Sequence, residues 1–285
     1  MSPTLFIAPE IKQDPFLDEK EGWDIAVRYQ DIRRLGNLST KDKKQLKKQA
    51  IKEILRRAYH VVGAVLKPEK TVSVDFQMYE SIGRRGDIDV LSSAEEILMN
   101  GLKQENLRFE IRVEKERDVL VMMDASLSMR GEKLALLSVA AAVVALCVPE
   151  QKLSFFGFDS QIRKIKFFSE PMPVEKIVEK ILELPAGGFT NLELALKETL
   201  SELSLRHKDH ANVILISDGK YTEGKDPLYL ASYFKHLHCL KIGRDQGGRE
   251  LLLDLVLHGS GHFFETRSEK DIPKALYKAI RALNM

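Results

Sequence analysis

From residue 118 onward, the chain alternates regularly between short apolar runs and amphipathic segments. Short apolar runs with abrupt polar ends are typical of strands buried on both faces, and apolar positions three and four apart predict helices. Strands that alternate with helices form mostly parallel sheets covered on both faces, so the pattern predicts an α/β fold. The predicted strands are 118–123, 152–159, 162–168, 212–217, 238–243 and 262–266, and the predicted helices are 131–147, 173–184, 192–203, 227–237, 249–257 and 269–283.

The first 117 residues are patterned differently. Residues 1–38 carry three prolines and scattered acids with weak periodicity, which predicts an irregular or partly ordered tail. Helical spacing predicts a helix that begins at Ser39 or Thr40 and ends at Lys67-Pro68. Alternation predicts strands over 71–79 and 106–114, with a serine-capped helix over 92–101 between them. The predicted organisation is a tail (1–38), a smaller α+β N-terminal extension (39–117) and a C-terminal α/β domain (118–285).

Composition places the chain among ordinary globular proteins. Its 285 residues are 44% hydrophobic and 30% charged, and its formal net charge is +2. This balance gives no global argument for a nucleic-acid or acidic partner. Cys147 and Cys239 lie in apolar runs and are predicted to be buried free thiols, which favours a reducing compartment. We expect no signal peptide, since the N-terminus lacks a basic segment followed by an apolar one, and no membrane span. A cytoplasmic protein is therefore expected.

Three polar loops follow or precede predicted elements where one edge of the sheet is expected. They are "DASLS" after the first strand, "GGFTN" before a helix, and "SDG" at the end of the "NVILIS" strand. Ligands of open α/β sheets bind beyond the carboxyl ends of the strands, so these loops are the candidate site. The loops supply the candidate metal ligands Asp124, Ser126, Ser128, Thr190 and Asp218.

The chemistry of this set indicates a hard divalent cation. Two carboxylates and three hydroxyls, without histidine or cysteine, suit Mg²⁺ or Mn²⁺ rather than zinc or copper. Two acidic groups balance the charge of the ion, and hydroxyls are weak ligands that leave it electrophilic. Any one of these loops alone is more often a structural turn or a helix cap. Three loops at one predicted edge favour a site.

These residues resemble the metal-ion-dependent adhesion site (MIDAS) of von Willebrand factor type A (VWA) domains. The five residues match that motif in the family's order, and Leu127 stands where many members have glycine. The resemblance covers 118–285 and implies a Rossmann-like sheet of six strands, with 162–168 as an antiparallel edge strand. It also implies a non-enzymatic binding role in which the metal receives an Asp or Glu of a protein partner. The surrounding loops, with Phe189, Lys220 and Tyr221, are the expected contact face.

A second resemblance reaches upstream. The stretch "RRGDIDVLSSAEEILMNG", followed by "RVEKERDVLVMMDASLSM", is similar to intracellular bacterial VWA proteins that work beside MoxR-type AAA+ ATPases. It is also similar to the VWA subunit of magnesium chelatase. "GDIDV" is shorter than the G-D-x-x-I-D-W stretch of many such proteins and has Val90 for its tryptophan. This resemblance implies that the partner is a MoxR-type AAA+ ATPase.

Two alternatives remain open from the residues. Phosphatases of the haloacid-dehalogenase type also place a nucleophilic aspartate after a buried strand, so Asp124 could be the nucleophile of a Mg²⁺-dependent phosphatase or phosphotransferase. They resemble D-x-D, however, and Ser126 stands where their second aspartate acts as general acid. The basic run 41–57 is most simply a solvated helix face, with nucleic-acid binding as the minority interpretation.

Overall fold

The computed structural model describes residues 19–34, 39–65, 71–81, 87–112 and 118–283. Of the described residues, those up to Val65 and those from 118 onward form one compact unit, and those over 71–112 form a second. In chain order the elements are α1 (Glu19–Arg34), α2 (Thr40–Val65), β1 (Thr71–Val74), α3 (Phe76–Ser81), β2 (Asp87–Ile88), α4 (Val90–Asn100), β3 (Phe109–Arg112), β4 (Val119–Asp124), α5 (Glu132–Cys147), β5 (Leu153–Phe158), β6 (Ile162–Lys166), α6 (Val174–Leu182), α7 (Leu192–Leu205), β7 (Asn212–Ser217), α8 (Leu228–Ala231), β8 (His236–Ile242), α9 (Arg249–His258), β9 (Phe263–Thr266) and α10 (Ile272–Leu283).

The sheet of the larger unit has six strands in the order β6-β5-β4-β7-β8-β9. Each neighbouring pair is parallel except β5 and β6, so the predicted α/β fold and its antiparallel edge strand are confirmed. Successive side chains of β4 enter the two apolar layers alternately: Val119, Val121 and Met123 face one layer, and Leu120 and Met122 face the other. All six residues of β4 are buried, as its unbroken apolar run predicts.

The prediction of an irregular tail is wrong for residues 19–34, which form α1. Ala26 and Tyr29 are buried in the same apolar layer as residues of α2 and α5, and the Gln30 Nε2 donates to the Leu184 carbonyl at 2.6 Å. Polar residues interrupt the apolar face of α1, so its sequence periodicity is weak. The helix is stabilised by packing against other elements of the larger unit. The rest of the predicted tail lies outside the described residues.

Helix α2 begins as predicted, with Ser39 as the capping residue. The Ser39 hydroxyl accepts from the Asp42 amide at 3.1 Å, which caps the first turn, and donates to the Asp42 carboxylate at 2.7 Å. Its buried face joins the core of the larger unit through Ala50, Ile54 and Ala58. The predicted domain boundary at 117 placed α2 outside the C-terminal α/β domain, whereas α2 packs in the core of that domain. Lys67-Pro68 lies outside the described residues.

The smaller unit is a three-stranded sheet in the order β1-β3-β2 with two short helices. The prediction of a strand over 71–79 is wrong beyond Val74. The Asp75 carboxylate accepts from the Met78 amide at 2.8 Å, which favours a helical turn, and α3 follows. Helix α4 is confirmed, but its cap is Asp89, which accepts from the Ser92 amide, rather than a serine.

Two further predictions in the larger unit need correction. The helix predicted over 227–237 is limited to Leu228–Ala231, because β8 already begins at His236, where it pairs with Asn212 of β7. Cys239 is buried as predicted, whereas Cys147 is only partly buried, and both are free thiols. Within the described ranges, no helix combines the length and apolar content needed to cross a membrane.

Candidate metal centre

Backbone hydrogen bonds join the three polar loops at the carboxyl edge of the sheet. The Gly187 amide donates to the Ala125 carbonyl at 3.1 Å, which ties the loop before α7 to the loop after β4. The Thr222 amide donates to the Thr190 carbonyl at 3.0 Å, which ties the same loop to the one after β7. Because β4 and β7 are parallel neighbours in the sheet, their carboxyl ends lie side by side. This brings Asp124 and Asp218 close together, although they are almost a hundred positions apart in the chain.

Asp124, the last residue of β4, is completely buried. One carboxylate oxygen accepts from the Ser126 amide at 2.9 Å, and the other accepts from the Ser217 hydroxyl at 2.6 Å. Removal from water raises the pKa of Asp124 to about 6, and the nearby Asp218 adds to the rise, while the bonds from Ser217 and Ser126 oppose it. A buried carboxylate in this state is stabilised by any cation that reaches it.

Ser126 and Ser128 place two hydroxyls side by side, with their Oγ atoms 3.1 Å apart. Ser126 is buried and Ser128 is exposed, so the pair extends from the interior to the surface. This arrangement follows from the short 3₁₀ turn Leu127–Met129, for which Ser126 is the N-cap residue. The turn returns the chain so that both hydroxyls lie on one side.

Thr190 lies immediately before Asn191, the capping residue of α7, and is buried. Its amide donates to the Thr222 hydroxyl at 3.0 Å, and its carbonyl accepts from the amides of Thr222 and Glu223. The loop before it turns at Gly188, which has a φ of 82°. Thr190 is thus held by its backbone on the side facing the third loop.

Asp218 follows β7 directly and is only 1% exposed. One of its oxygens forms an ion pair with the Lys133 Nζ at 2.6 Å, and the other accepts from the Lys220 amide at 3.2 Å. Gly219 turns the chain away with a φ of 81°, and a side chain there would meet the Gly248 carbonyl oxygen at 2.4 Å. Only glycine fits this turn, which fixes Asp218 at the sheet edge.

The described residues therefore suit a divalent cation with oxygen ligands. The cluster contains two buried carboxylates and neighbouring hydroxyls, the donor types that Mg²⁺ and Mn²⁺ accept. In the part of the chain that the structure describes, no group of three or more His, Cys, Asp or Glu side chains could hold a metal. A site for a hard cation here must include hydroxyl ligands.

Three residues that contact the candidate ligands were not predicted from the sequence. Ser217 was regarded only as part of the "SDG" turn, yet it donates to Asp124. Thr222 supports Thr190, and Lys133 of α5 pairs with Asp218. Ser217 precedes a candidate ligand and could have been found, since its hydroxyl ends a buried strand. No sequence signal indicates that Lys133 would reach Asp218 from another element.

The sheet order, the antiparallel edge strand and the loop cluster define the class as a VWA domain. Residues 42–238 match the family described as VWA domain containing CoxE-like protein, and the chain belongs to this family. VWA domains commonly mediate metal-dependent protein interactions and are generally non-enzymatic. No curated protein matches the chain.

Several solved structures are similar to part of this chain. The vWF domain of the type V pili tip protein Mfa5 from Porphyromonas gingivalis is 14% identical, with a TM-score of 0.48, over 60% of this chain and 96% of that one. An aerotolerance-related membrane protein from Bacteroides fragilis is 13% identical, with a TM-score of 0.47, over 57% and 98% of the two chains. Proximal thread matrix protein 1 of the mussel byssus, with a zinc-occupied MIDAS, is 18% identical, with a TM-score of 0.46, over 58% and 47%.

Proposed function

We propose that this chain is a non-enzymatic protein-interaction module that binds its partner through a divalent metal ion, Mg²⁺ or Mn²⁺. The observation that carries the proposal is the buried Asp124 carboxylate, which lies beside Ser126 and near Asp218, with the Ser128 hydroxyl 3.1 Å from that of Ser126. A cation bound to this carboxylate would offset the free-energy cost of burying its negative charge. The proposed ligands are Asp124, Ser126, Ser128, Thr190 and Asp218.

The residue types assign the chemistry. Asp124 and Asp218 would supply the negative charge, and the three hydroxyls would supply neutral oxygens. When bound, the cation supplies an electrophilic position for an oxygen from outside the protein. The natural ligand for that position is an Asp or Glu carboxylate of a second protein.

The surface around the site favours a partner with apolar residues beside its acid. The side chains of Leu127 and Phe189 are 55% and 64% exposed, and the Leu127 amide donates to the carbonyl of Gly188, so both residues lie at the rim on one side. Tyr221, 40% exposed, follows Asp218 on the third loop. Exposed aromatic and aliphatic side chains around a polar centre are typical interface anchors.

The proposed partner is a MoxR-type AAA+ ATPase. The support is the likeness of residues 84–101 and 112–129 to bacterial VWA proteins that accompany such ATPases. The proposed compartment is the cytoplasm, where reduced thiols such as Cys147 and Cys239 persist.

The residue at position 126 argues against the phosphatase alternative. Ser126 occupies the position of the general acid, and a hydroxyl does not protonate a leaving group at neutral pH.

The proposal is tested by binding to the purified MoxR-type ATPase of the same organism. We expect binding in Mg²⁺, none in EDTA, and a loss of at least about tenfold in affinity for Thr190→Ala and Asp218→Ala, because each removes a ligand. Thr190→Ser keeps the hydroxyl and should bind. Asp209→Ala, which changes an exposed carboxylate before the opposite end of β7, is the control. A complex that survives EDTA and both alanine substitutions would contradict the proposal.

A further inference from the structure

The Lys133–Asp218 ion pair places a protein cation inside the proposed metal centre. Lys133 is the second residue of α5, and its Nζ lies 2.6 Å from an oxygen of Asp218. The Asp218 side chain is 1% exposed, whereas that of Lys133 is 24% exposed. The lysine therefore reaches from the protein surface to a buried carboxylate that is one of the proposed ligands.

The path of the lysine is shaped by the neighbouring strand end. Gly243 directly follows β8 with a φ of 105°, and a side chain there would come within 2.8 Å of the Lys133 Cε. A side chain at this position would displace the end of the lysine side chain from its present path. A second lysine, Lys241, is fully buried close by, but its Nζ donates to the carbonyls of Gly243 and Asp245. Lys133 is thus the lysine that pairs with the Asp218 carboxylate.

The charges of the site determine how the Lys133–Asp218 ion pair affects the binding of a divalent cation. Asp124 and Asp218 contribute two negative charges, and Lys133 reduces the total of these three groups to one. The charge of Lys241 is opposed by Glu265, whose carboxylate lies 3.6 Å from its Nζ. A divalent ion added to this cluster leaves one excess positive charge. Without the lysine, the ion and the two carboxylates would be neutral together. The lysine therefore opposes the metal but makes the loaded centre attractive to an anion.

We infer that Lys133 is a positioning residue that weakens metal binding and strengthens binding of the partner's carboxylate to the metal. The inference rests on the proposed metal-binding function. Lys133 holds Asp218 in place and compensates its charge before the ion arrives. Afterwards its charge contributes to the field that draws a carboxylate to the open position. Metal affinity and carboxylate affinity should then change in opposite directions when the lysine charge is removed.

The experiment measures both affinities in the full chain with Mn²⁺ as the probe. Calorimetry gives Mn²⁺ affinity, and relaxation of the acetate methyl protons by bound Mn²⁺ gives acetate affinity. Lys133→Gln removes the charge and keeps a hydrogen-bond donor, and we expect it to bind Mn²⁺ at least about tenfold more tightly and acetate several-fold more weakly. Lys133→Arg keeps the charge and should resemble the native protein in both measurements.

Lys208→Met is the matched control. Its Nζ lies 2.6 Å from an oxygen of Asp118 at the opposite end of β4, and its exposed fraction of 23% is nearly that of Lys133. Removing this pair should leave both affinities unchanged. If Lys133→Gln is too unstable to purify without metal, Lys133→Met refolded in Mn²⁺ gives the same comparison.

The outcomes separate the two claims. Mn²⁺ binding by the native chain with unchanged or weaker binding by Lys133→Gln would overturn the role of Lys133 and leave the metal site standing. Unchanged acetate affinity would also overturn it, because a merely structural lysine would not act on the bound ion. Failure of the native chain to bind Mn²⁺ would overturn the proposed function and this inference together.

Discussion

The Asp124 carboxylate is buried, so its charged form is stabilised by hydrogen-bond donors of the protein. Ser217 donates to one oxygen at 2.6 Å, and the Ser126 amide donates to the other. A buried charged acceptor that loses a donor must bear its desolvation cost alone. Ser217 therefore stabilises the metal-free protein and fixes the orientation of Asp124.

Replacing Ser217 by alanine should lower the free energy of unfolding in EDTA by about 1.5–3 kcal/mol, because a hydrogen bond to a charged group is lost. Urea denaturation measures the change. Ser138→Ala is the control. Ser138 is equally buried, but its hydroxyl donates to an uncharged acceptor, the Leu134 carbonyl inside the same helix. Equal losses for both variants would show that the bond to Asp124 has no special weight.

The two cysteines should be poorly reactive in the native protein. Burial raises the pKa of Cys147 to about 12 and also raises the pKa of Cys239, so little thiolate exists at pH 8. We expect a disulfide reagent to label neither thiol before denaturation and both afterwards. Rapid labelling of Cys239 in the folded protein would contradict its placement inside the sheet.

At the scale of the elements, α2 is joined to the C-terminal part by an ion-pair cluster as well as by its apolar face. The Lys47 Nζ lies 2.7 Å from Glu179 of α6 and 2.8 Å from Glu183. Hydrogen bonds from Lys176 and Lys47 lower the pKa of Glu179 to about 2. The carboxylate contribution is therefore present above its ordinary pKa and is lost as the pH falls toward about 2.

Lys47→Met should cost about 0.5–1 kcal/mol at neutral pH, because the pair is partly exposed and screened by solvent. The difference from the native protein should shrink as the pH falls from 5 toward 2, as Glu179 is protonated. Denaturation at several pH values measures it. Lys48→Met, which changes the exposed neighbouring lysine, should have little effect. A pH-independent loss would show that the stem of Lys47, not its charge, stabilises the contact.

The elements that sequence reasoning predicted well are those with a single strong pattern. Buried strands such as β4 and β7 are unbroken apolar runs, so their type and ends are plain. Helix α1 was missed because its packing on the larger unit, rather than its own periodicity, stabilises it. Helix α8 was drawn too long because the start of β8 is set by pairing with β7, which local sequence does not show.

At the scale of the whole molecule, the sheet order creates the candidate site. The motif residues fall at 124–128, 187–190 and 217–219, and the adjacency of β4 and β7 unites them. The motif could be read from the sequence because each loop has its own polar signature. Ser217 lies within the "SDG" signature, but Thr222 and Lys133 could not be found in this way, since a contact between distant segments depends on side-chain paths that only the folded chain defines.

Calorimetric titration with Mg²⁺ shows whether Asp124 binds a divalent ion. We expect the native chain to bind one ion with modest affinity and Asp124→Ala to bind none, while cooperative thermal unfolding of the variant shows that it remains folded. Asp118→Ala, which removes a carboxylate just before the other end of β4, should bind like the native chain. Undiminished Mg²⁺ binding by Asp124→Ala would show that Asp124 is not a metal ligand.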